Sequence, residues 1–188
     1  ARIIEEGFRP ACGDCIFRPI LNSIAASRTE IDELLALVKK YDTKVLVMAS
    51  ERYLEGTSGD SGQCFSADEV YQSAKVFVKI LKDKTGRIND DIIIDPGFGF
   101  GKSLEHNYQM LAKFEEFQTL NVPVLAGMSR KSMIGDLLQR EISERLAGNI
   151  AVSTVAAQKG AQIIRVHDVK ETVDAVKVIN MLNAYRNN

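Results

Sequence analysis

Residues able to bind or react with a ligand follow predicted strands of this chain, at the point where each strand ends. In parallel α/β folds the carboxyl ends of the strands meet at one face, and ligands bind there. Cationic or near-cationic groups among these residues would form an anion site, suited to pyrophosphate or to a carboxylate together with a phosphate. The strand-end residues are Asn22, Met48, Asp95, the 130–132 segment (Arg-Lys-Ser), Arg165 and His167, and the cationic groups are Arg130, Lys131, Arg165 and His167.

The most informative stretch is Asp95–Lys102, with the sequence DPGFGFGK, which directly follows the apolar run 92–94. This pattern predicts a buried parallel strand that ends at a turn. Its alternating glycines allow a tight turn and a close approach of the backbone to a bound molecule. Asp95 could accept hydrogen bonds from a flat, donor-rich ring, and Phe98 and Phe100 offer apolar faces to an aromatic ligand.

Two common phosphate-binding motifs are excluded for this stretch. A P-loop requires a glycine where the chain has Pro96, and a dinucleotide fingerprint requires a third glycine where it has Lys102. A glycine-rich turn with a capping aspartate remains the alternative if the stretch is considered alone.

The surrounding pattern predicts five βα units. Apolar strands start near residues 20, 44, 90, 122 and 162, and amphipathic helices start near Thr29, Ser66, Ser103, Ser143 and Asp168. These spacings suit right-handed crossovers between the strands of a parallel sheet. Residues 49–65 form a long irregular connection, as expected of a functional lid or a mobile loop.

Composition places the chain among ordinary globular proteins and predicts a single domain over residues 1–188. Of its 188 residues, 45% are apolar and 26% are charged, and the net charge is -1. This charge gives no electrostatic reason to expect nucleic acid or an anionic membrane as a partner. The apolar runs are too short to span a bilayer, and Glu5 and Glu6 stand where a signal peptide would be basic, so we expect a cytoplasmic protein.

The chain has three cysteines, Cys12, Cys15 and Cys64. An odd number argues against a disulfide framework. Cys12 and Cys15 form a C-x-x-C pair that could be half of a zinc site or a redox pair. However, a second such pair, a nearby histidine and a thioredoxin-like strand–helix frame are all missing from the sequence, which favours ordinary thiols.

The chain closely resembles the dihydropteroate synthase family from about residue 89 to residue 180. DPGxGFGK and SRKS together are highly specific, and related pterin methyltransferases are not expected to carry SRKS or RVHD. The matching segments are Asp95–Lys102, His106-Asn107, Gly127–Gly135, Ser143–Gly148 and Arg165–Val169.

The resemblance implies an α/β fold, the (β/α)8 TIM barrel, of which this chain would hold about the last five βα units. It also implies that 6-hydroxymethyl-7,8-dihydropterin pyrophosphate condenses with p-aminobenzoate to give 7,8-dihydropteroate and pyrophosphate in folate biosynthesis. A cytoplasmic homodimer that contains Mg²⁺ is expected by the same resemblance. The alternatives are a non-catalytic pterin-binding or assembly protein and a pterin-dependent methyltransferase.

The resemblance also implies roles for individual residues. Catalytic roles would fall to Lys131, Arg165 and His167. The pterin would contact Asn22, Met48, Asp95, Gly127 and Lys131. The p-aminobenzoate would contact Phe100, Lys131 and Ser132, and the pyrophosphate would contact Arg165 and His167.

The N-terminal part departs from the family pattern. The family's magnesium-coordinating asparagine, its Thr-Arg-Pro loop and a strand aspartate lack counterparts here, so the metal's protein ligand is unknown. The family's Asn-Asp corresponds to Asn22-Ser23, and its Met-His-Met-x-Gly corresponds to the segment from Met48 to Glu51. Five units cannot close an eight-stranded barrel, so we expect either that three βα units are missing from this sequence or that its N-terminal part is altered or partial.

Overall fold

The computed structural model describes residues 20–23, 35–36, 38–40, 43–49, 65–86 and 91–186. Within these ranges strands alternate with helices along the chain, as the sequence predicts. In chain order the strands and α-helices are β1 Ile20–Ser23, β2 Lys44–Met48, α1 Ala67–Thr85, β3 Ile92–Asp95, α2 Leu104–Ala112, β4 Leu125–Ala126, α3 Ser132–Leu138, α4 Leu146–Gln158, β5 Ile163–Ile164 and α5 Val169–Arg186. Two 3-10 helices, Phe114–Leu120 and Ile142–Glu144, lie between them.

All strand pairings in the described part of the chain are parallel and follow the chain order. β1 pairs with β2 and β2 pairs with β3. An isolated parallel bridge between Ile94 and Val124 connects β3 to the start of β4, which then pairs with β5. The predicted sequence of five parallel strands is therefore confirmed.

The two faces of these strands bury different sets of side chains. One face belongs to the large core beneath the helices and contains Val45, Val47, Ile92, Ile94, Val124 and Ala126. The other face carries a small cluster of Leu46, Ile93 and Leu125, with Ile163 packed against it. Because side chains alternate along a strand, the residues two positions further on from this cluster share its face. These residues are Met48, Asp95, Gly127 and Arg165, which places the strand-end positions of four units on one face.

Three of the described helix starts agree with the sequence and one differs. α5 begins at Val169, directly after Asp168, as predicted. Ser66 and Glu69 form the predicted capping box of α1, and the Ser103 side chain caps α2. A helix is predicted from Ser143, but α4 begins at Leu146. The chain first makes the 3-10 helix Ile142–Glu144, where the Glu144 carboxylate accepts the backbone N–H of Glu141 at 3.2 Å.

The apolar stripe on α5 is only partly covered in this structure. Ile179 is buried, whereas Val169 is 60% exposed and Val173 is 45% exposed. Among the described elements α5 packs mainly against α4, and further apolar side chains towards its end, Val178, Met181 and Leu182, are also exposed.

Candidate active site

Asp95 and Arg165 form an ion pair at the strand ends. One carboxylate oxygen, Oδ1, accepts the backbone N–H of Gly97 at 2.8 Å, and Oδ2 accepts Nη2 of Arg165 at 2.9 Å. The Asp95 side chain is only 6% exposed, whereas that of Arg165 is 45% exposed. The carboxylate is thus fixed in place at the inner face, and the guanidinium presents part of its surface to a ligand.

Lys131 lies beside this ion pair and reaches the glycine-rich loop. Its Nζ donates to the carbonyl of Phe98 and lies 4.5 Å from the ring centroid of Phe100. Burial lowers the pKa of Lys131 below its usual 10.5; the charge of Arg165 lowers this pKa further and that of Asp95 opposes the shift. Lys131, Asp95 and Arg165 therefore interact electrostatically. This agrees with the prediction from sequence that the strand-end residues meet at one face.

Two polar side chains hold the glycine-rich loop in shape. Lys102 Nζ donates to the carbonyls of Gly97 at 2.8 Å and Phe100 at 2.9 Å. Asn107 is buried in the first turn of α2, where its Oδ1 accepts the N–H of Gly99 at 2.7 Å. Neither residue is predicted from sequence to have a role, although both lie within the segments that resemble the family. Since one backbone N–H and two carbonyls of the loop gain partners here, the loop is preorganised.

Three glycines provide space for three of the predicted site side chains. A Cβ on any of them would come closer to the neighbouring side chain than real Cβ atoms do. The pairs are Gly97 with Met48 Cγ at 2.9 Å, Gly99 with Lys131 Cδ at 2.9 Å, and Gly127 with Arg165 Nη2 at 2.8 Å. Of the predicted pterin contacts, Met48 thus lies against Gly97 of the glycine-rich loop, and Gly127 lies against Arg165.

The β4–α3 and β5–α5 loops are joined by two side-chain contacts. Ser129 Oγ lies 2.9 Å from Nδ1 of His167, and Arg130 Nη2 donates to Asp168 Oδ1 at 2.6 Å. The Arg130 guanidinium is the first cause of the lowered pKa of Asp168, and the carboxylate in turn raises the pKa of Arg130. We expected Arg130 to belong to the anion site, but the structure pairs it with Asp168.

Arg145, just before α4, supports the loop that carries Lys131. Its Nη1 donates to the carbonyls of Arg130 at 2.9 Å and Lys131 at 3.3 Å. Asn149, on the same helix, donates from Nδ2 to Asp168 Oδ2 at 3.4 Å. These contacts make the loop positions depend on α4 as well as on the strands.

The aromatic residues of the glycine-rich loop separate into two roles. Phe98 is fully buried and stacks on Phe114 with the ring centroids 6.1 Å apart. The prediction that Phe98 offers a face to a ligand is therefore wrong, because its ring lies in the large core beneath the helices. Phe100 is 49% exposed, and Ser132 begins α3 with an exposed side chain, so both are accessible at the mouth.

Some predicted features are described only in part or lie outside the described residues. The backbone of Asn22 lies in register with Leu46, two positions before the level of Met48, and its side chain is not among the described ones. Cys12, Cys15, Cys64 and most of the 49–65 connection also lie outside. No helix in the described ranges is both long enough and apolar enough to cross a membrane.

The lowered pKa of Lys131 predicts a specific pH dependence of stability. Between that pKa and 10.5 the unfolded chain binds more protons than the folded chain, so the free energy of unfolding rises with pH across this window. We expect this rise to shrink in Lys131→Met. Denaturant unfolding of both proteins at several pH values measures it, with Met at the exposed Lys79 as the control. Identical pH profiles for the parent and Lys131→Met would contradict the assignment.

A sequence model of the family described as pterin binding enzyme matches residues 3–167 of this chain. This match covers most of the chain and includes all five described strands and the mouth where Asp95, Lys131 and Arg165 meet. The chain therefore belongs to the pterin-binding enzyme family, and its five βα units are part of a TIM barrel.

Individual relatives carry the name dihydropteroate synthase. The chain is 56% identical over 97 residues to the enzyme of Escherichia coli strain K12, a match that covers 52% of this chain and 34% of that protein. The Yersinia pestis dihydropteroate synthase, solved with a sulfonamide drug complex, superposes with a TM-score of 0.73 at 34% identity, covering 88% of this chain and 60% of that one. The Coxiella burnetii enzyme in complex with pteroic acid gives a TM-score of 0.69 at 36% identity, covering 88% and 59%. The chain thus spans about 60% of the solved relatives.

Proposed function

We propose that the whole protein is a dihydropteroate synthase, which condenses 6-hydroxymethyl-7,8-dihydropterin pyrophosphate with p-aminobenzoate. The observation that carries this proposal is the convergence of Asp95, Lys131 and Arg165 on one face of the strands. The site would thereby offer a fixed acceptor to a donor-rich ring and cations to an anionic leaving group. Relatives solved with pteroic acid and with a sulfonamide support the same substrate class.

In this proposal Asp95 anchors the pterin. Its carboxylate is held by Arg165 and the Gly97 N–H, and the lone pairs not used by these donors accept hydrogen bonds from the ring nitrogens. Met48 and Gly127 line the same face as Asp95, which supports their assignment to the ring pocket. Asn22 and Lys131 complete the proposed set of pterin contacts.

The reaction breaks the bond between the pterin methylene carbon and a pyrophosphate oxygen, and the amine nitrogen of p-aminobenzoate forms the new bond to that carbon. Negative charge accumulates on the departing pyrophosphate, where Arg165 and His167 stabilise it. The pterin ring delocalises the positive charge left on the methylene carbon, and Asp95 holds the ring nitrogens as that charge develops. The attacking amine loses its proton once the new C–N bond has formed.

Phe100, Lys131 and Ser132 form the proposed p-aminobenzoate site. We predict that Phe100→Ala weakens p-aminobenzoate binding roughly tenfold and pterin pyrophosphate binding less, because the exposed ring supplies an apolar wall. Calorimetric titration with each ligand separates the two effects. Phe98→Leu is the contrasting variant. Because the Phe98 ring is buried in the large core beneath the helices, the free energy of unfolding should fall while the ligand preference is retained. Equal losses for both ligands in Phe100→Ala would contradict the assignment.

The magnesium ion that the resemblance implies has no protein ligand assigned among the described residues. They contain no group of three or more His, Cys, Asp or Glu side chains able to hold a metal ion, and the Asp95 carboxylate is already engaged by Arg165. We therefore assign no step of the reaction to a metal. The homodimer, the cytoplasmic location and the single domain over residues 1–188 also stay predictions.

A steady-state assay with both substrates tests the proposed function. Formation of 7,8-dihydropteroate together with one pyrophosphate per turnover is the expected result. Binding of the pterin pyrophosphate without turnover would instead favour a non-catalytic pterin-binding protein. Methyl transfer from methyltetrahydrofolate would favour a pterin-dependent methyltransferase.

A further inference from the structure

The contact between Ser129 and His167 determines how the histidine presents its protons. Ser129 Oγ accepts the backbone N–H of His167 at 3.1 Å and also lies 2.9 Å from Nδ1 of the same residue. A serine hydroxyl has one proton to donate and two lone pairs. One lone pair is taken by the backbone N–H, so the contact with Nδ1 must use either the hydroxyl proton or the second lone pair.

Only one of the two arrangements satisfies every polar group at this contact. If Nδ1 carried the proton, it would donate to Ser129, and the hydroxyl proton would need another acceptor. Within the described ranges the hydroxyl makes only these two hydrogen bonds, and solvent reaches 7% of Ser129. If Nδ1 carries no proton, the Ser129 hydroxyl donates to it. The backbone N–H of His167 and the hydroxyl proton then both have hydrogen-bond partners. A buried donor without a partner is unfavourable, so the second arrangement is preferred.

We propose that Ser129 is a positioning residue that holds His167 as the neutral Nε2–H tautomer, with Nε2 as the N–H donor presented to an anion. In the described part of the chain Nε2 makes no hydrogen bond to protein, so its donor is available to a ligand. The proposal rests on the proposed function for the identity of that anion, the departing pyrophosphate. The loop geometry supports it, because Arg130 and Asp168, the next residue after each member of the pair, join the same two loops.

With this assignment, Arg165 and His167 have complementary tasks towards the anion. Arg165 supplies the charge of its guanidinium to the leaving group. His167 supplies a directional donor whose availability depends on Ser129. The histidine thus contributes to anion binding as a hydrogen-bond donor from Nε2.

Nitrogen NMR of the ¹⁵N-labelled protein, recorded at a pH where the spectrum shows both imidazoles to be neutral, tests the tautomer without any ligand. The chain has only two histidines, so His106 serves as an internal reference. We expect a pyridine-type shift at Nδ1 of His167 and a pyrrole-type shift at Nε2. In Ser129→Ala both nitrogens should shift towards averaged values. Ser129→Thr, which keeps the hydroxyl, should restore the pattern, and Ser132→Ala should leave it unchanged.

Binding of inorganic pyrophosphate tests whether the tautomer of His167 affects anion affinity. The affinity for pyrophosphate should fall about fivefold to tenfold in Ser129→Ala and recover in Ser129→Thr. A pyrrole-type shift at Nδ1 in the parent protein overturns the proposal, as does an unchanged tautomer in Ser129→Ala; the parent spectrum decides even where a variant folds poorly. If the tautomer shifts in Ser129→Ala but pyrophosphate affinity does not, Ser129 still sets the tautomer, and the placement of pyrophosphate at His167 in the proposed function fails.

Discussion

Replacement of Asp95 by alanine is expected to reduce pterin pyrophosphate affinity at least roughly tenfold while the fold is retained. The substitution removes the acceptor of the ring nitrogens and leaves their donors without partners, which costs about 1–3 kcal/mol or more. It also leaves Arg165 without its carboxylate, so the guanidinium can move away from the leaving group. Calorimetric titration with the pterin pyrophosphate measures the loss, and circular dichroism checks the fold.

The same strand offers a matched control for this experiment. Asp91 directly precedes β3 at its amino end. Counted over the whole residue, Asp91 is 6% exposed and Asp95 is 4% exposed. Alanine at Asp91 should lower the free energy of unfolding without changing pterin affinity, because this end of the strand is remote from the mouth. If Asp95→Ala binds the pterin pyrophosphate as tightly as the parent does, the glycine-rich loop does not belong to the pterin pocket.

The strand ends were predictable from sequence because two local signals coincide there. Short β-branched runs predict buried strands, and the polar residue that ends each run marks the catalytic face of a parallel sheet. Asp95 and Arg165 were placed correctly by this reasoning, although 70 residues separate them in the chain. Two regularities are enough for this placement: side chains alternate between the two faces of a strand, and the strands run parallel.

The contacts that hold the site were less predictable, because they depend on three-dimensional proximity between loops. Neither the Arg130–Asp168 pair nor the support of the Lys131 carbonyl by Arg145 has a periodic signature. Phe98 was misassigned for a related reason. Its neighbour Phe100 has the same residue type and the same flanking glycines, and only the twist of the loop directs one ring to the core and the other to the mouth.

Gly99→Ala is expected to damage both stability and ligand binding, because two separate requirements exclude a side chain there. The backbone of Gly99 has φ of +79°, a conformation that costs an L-residue about 1–2 kcal/mol. In addition, the new Cβ would lie 2.9 Å from Cδ of Lys131. Since Nζ at the end of that side chain is anchored to the Phe98 carbonyl and lies over the Phe100 ring, the stem cannot move aside without losing these contacts.

Gly86→Ala isolates the first requirement, the positive φ. Gly86 caps the end of α1 with φ of +61°, and a Cβ there would meet nothing within 4 Å. We expect Gly86→Ala to lower the free energy of unfolding by about 1 kcal/mol, the backbone strain partly offset by the reduced entropy of the unfolded chain, and to leave ligand binding unchanged. Gly99→Ala should lose a further 1–3 kcal/mol or so through the displaced lysine, and its p-aminobenzoate affinity should drop about tenfold. Denaturant unfolding and calorimetric titration of both variants provide the comparison. Equal stability losses with unaltered binding would show that the close approach of Gly99 to Lys131 does not position the lysine.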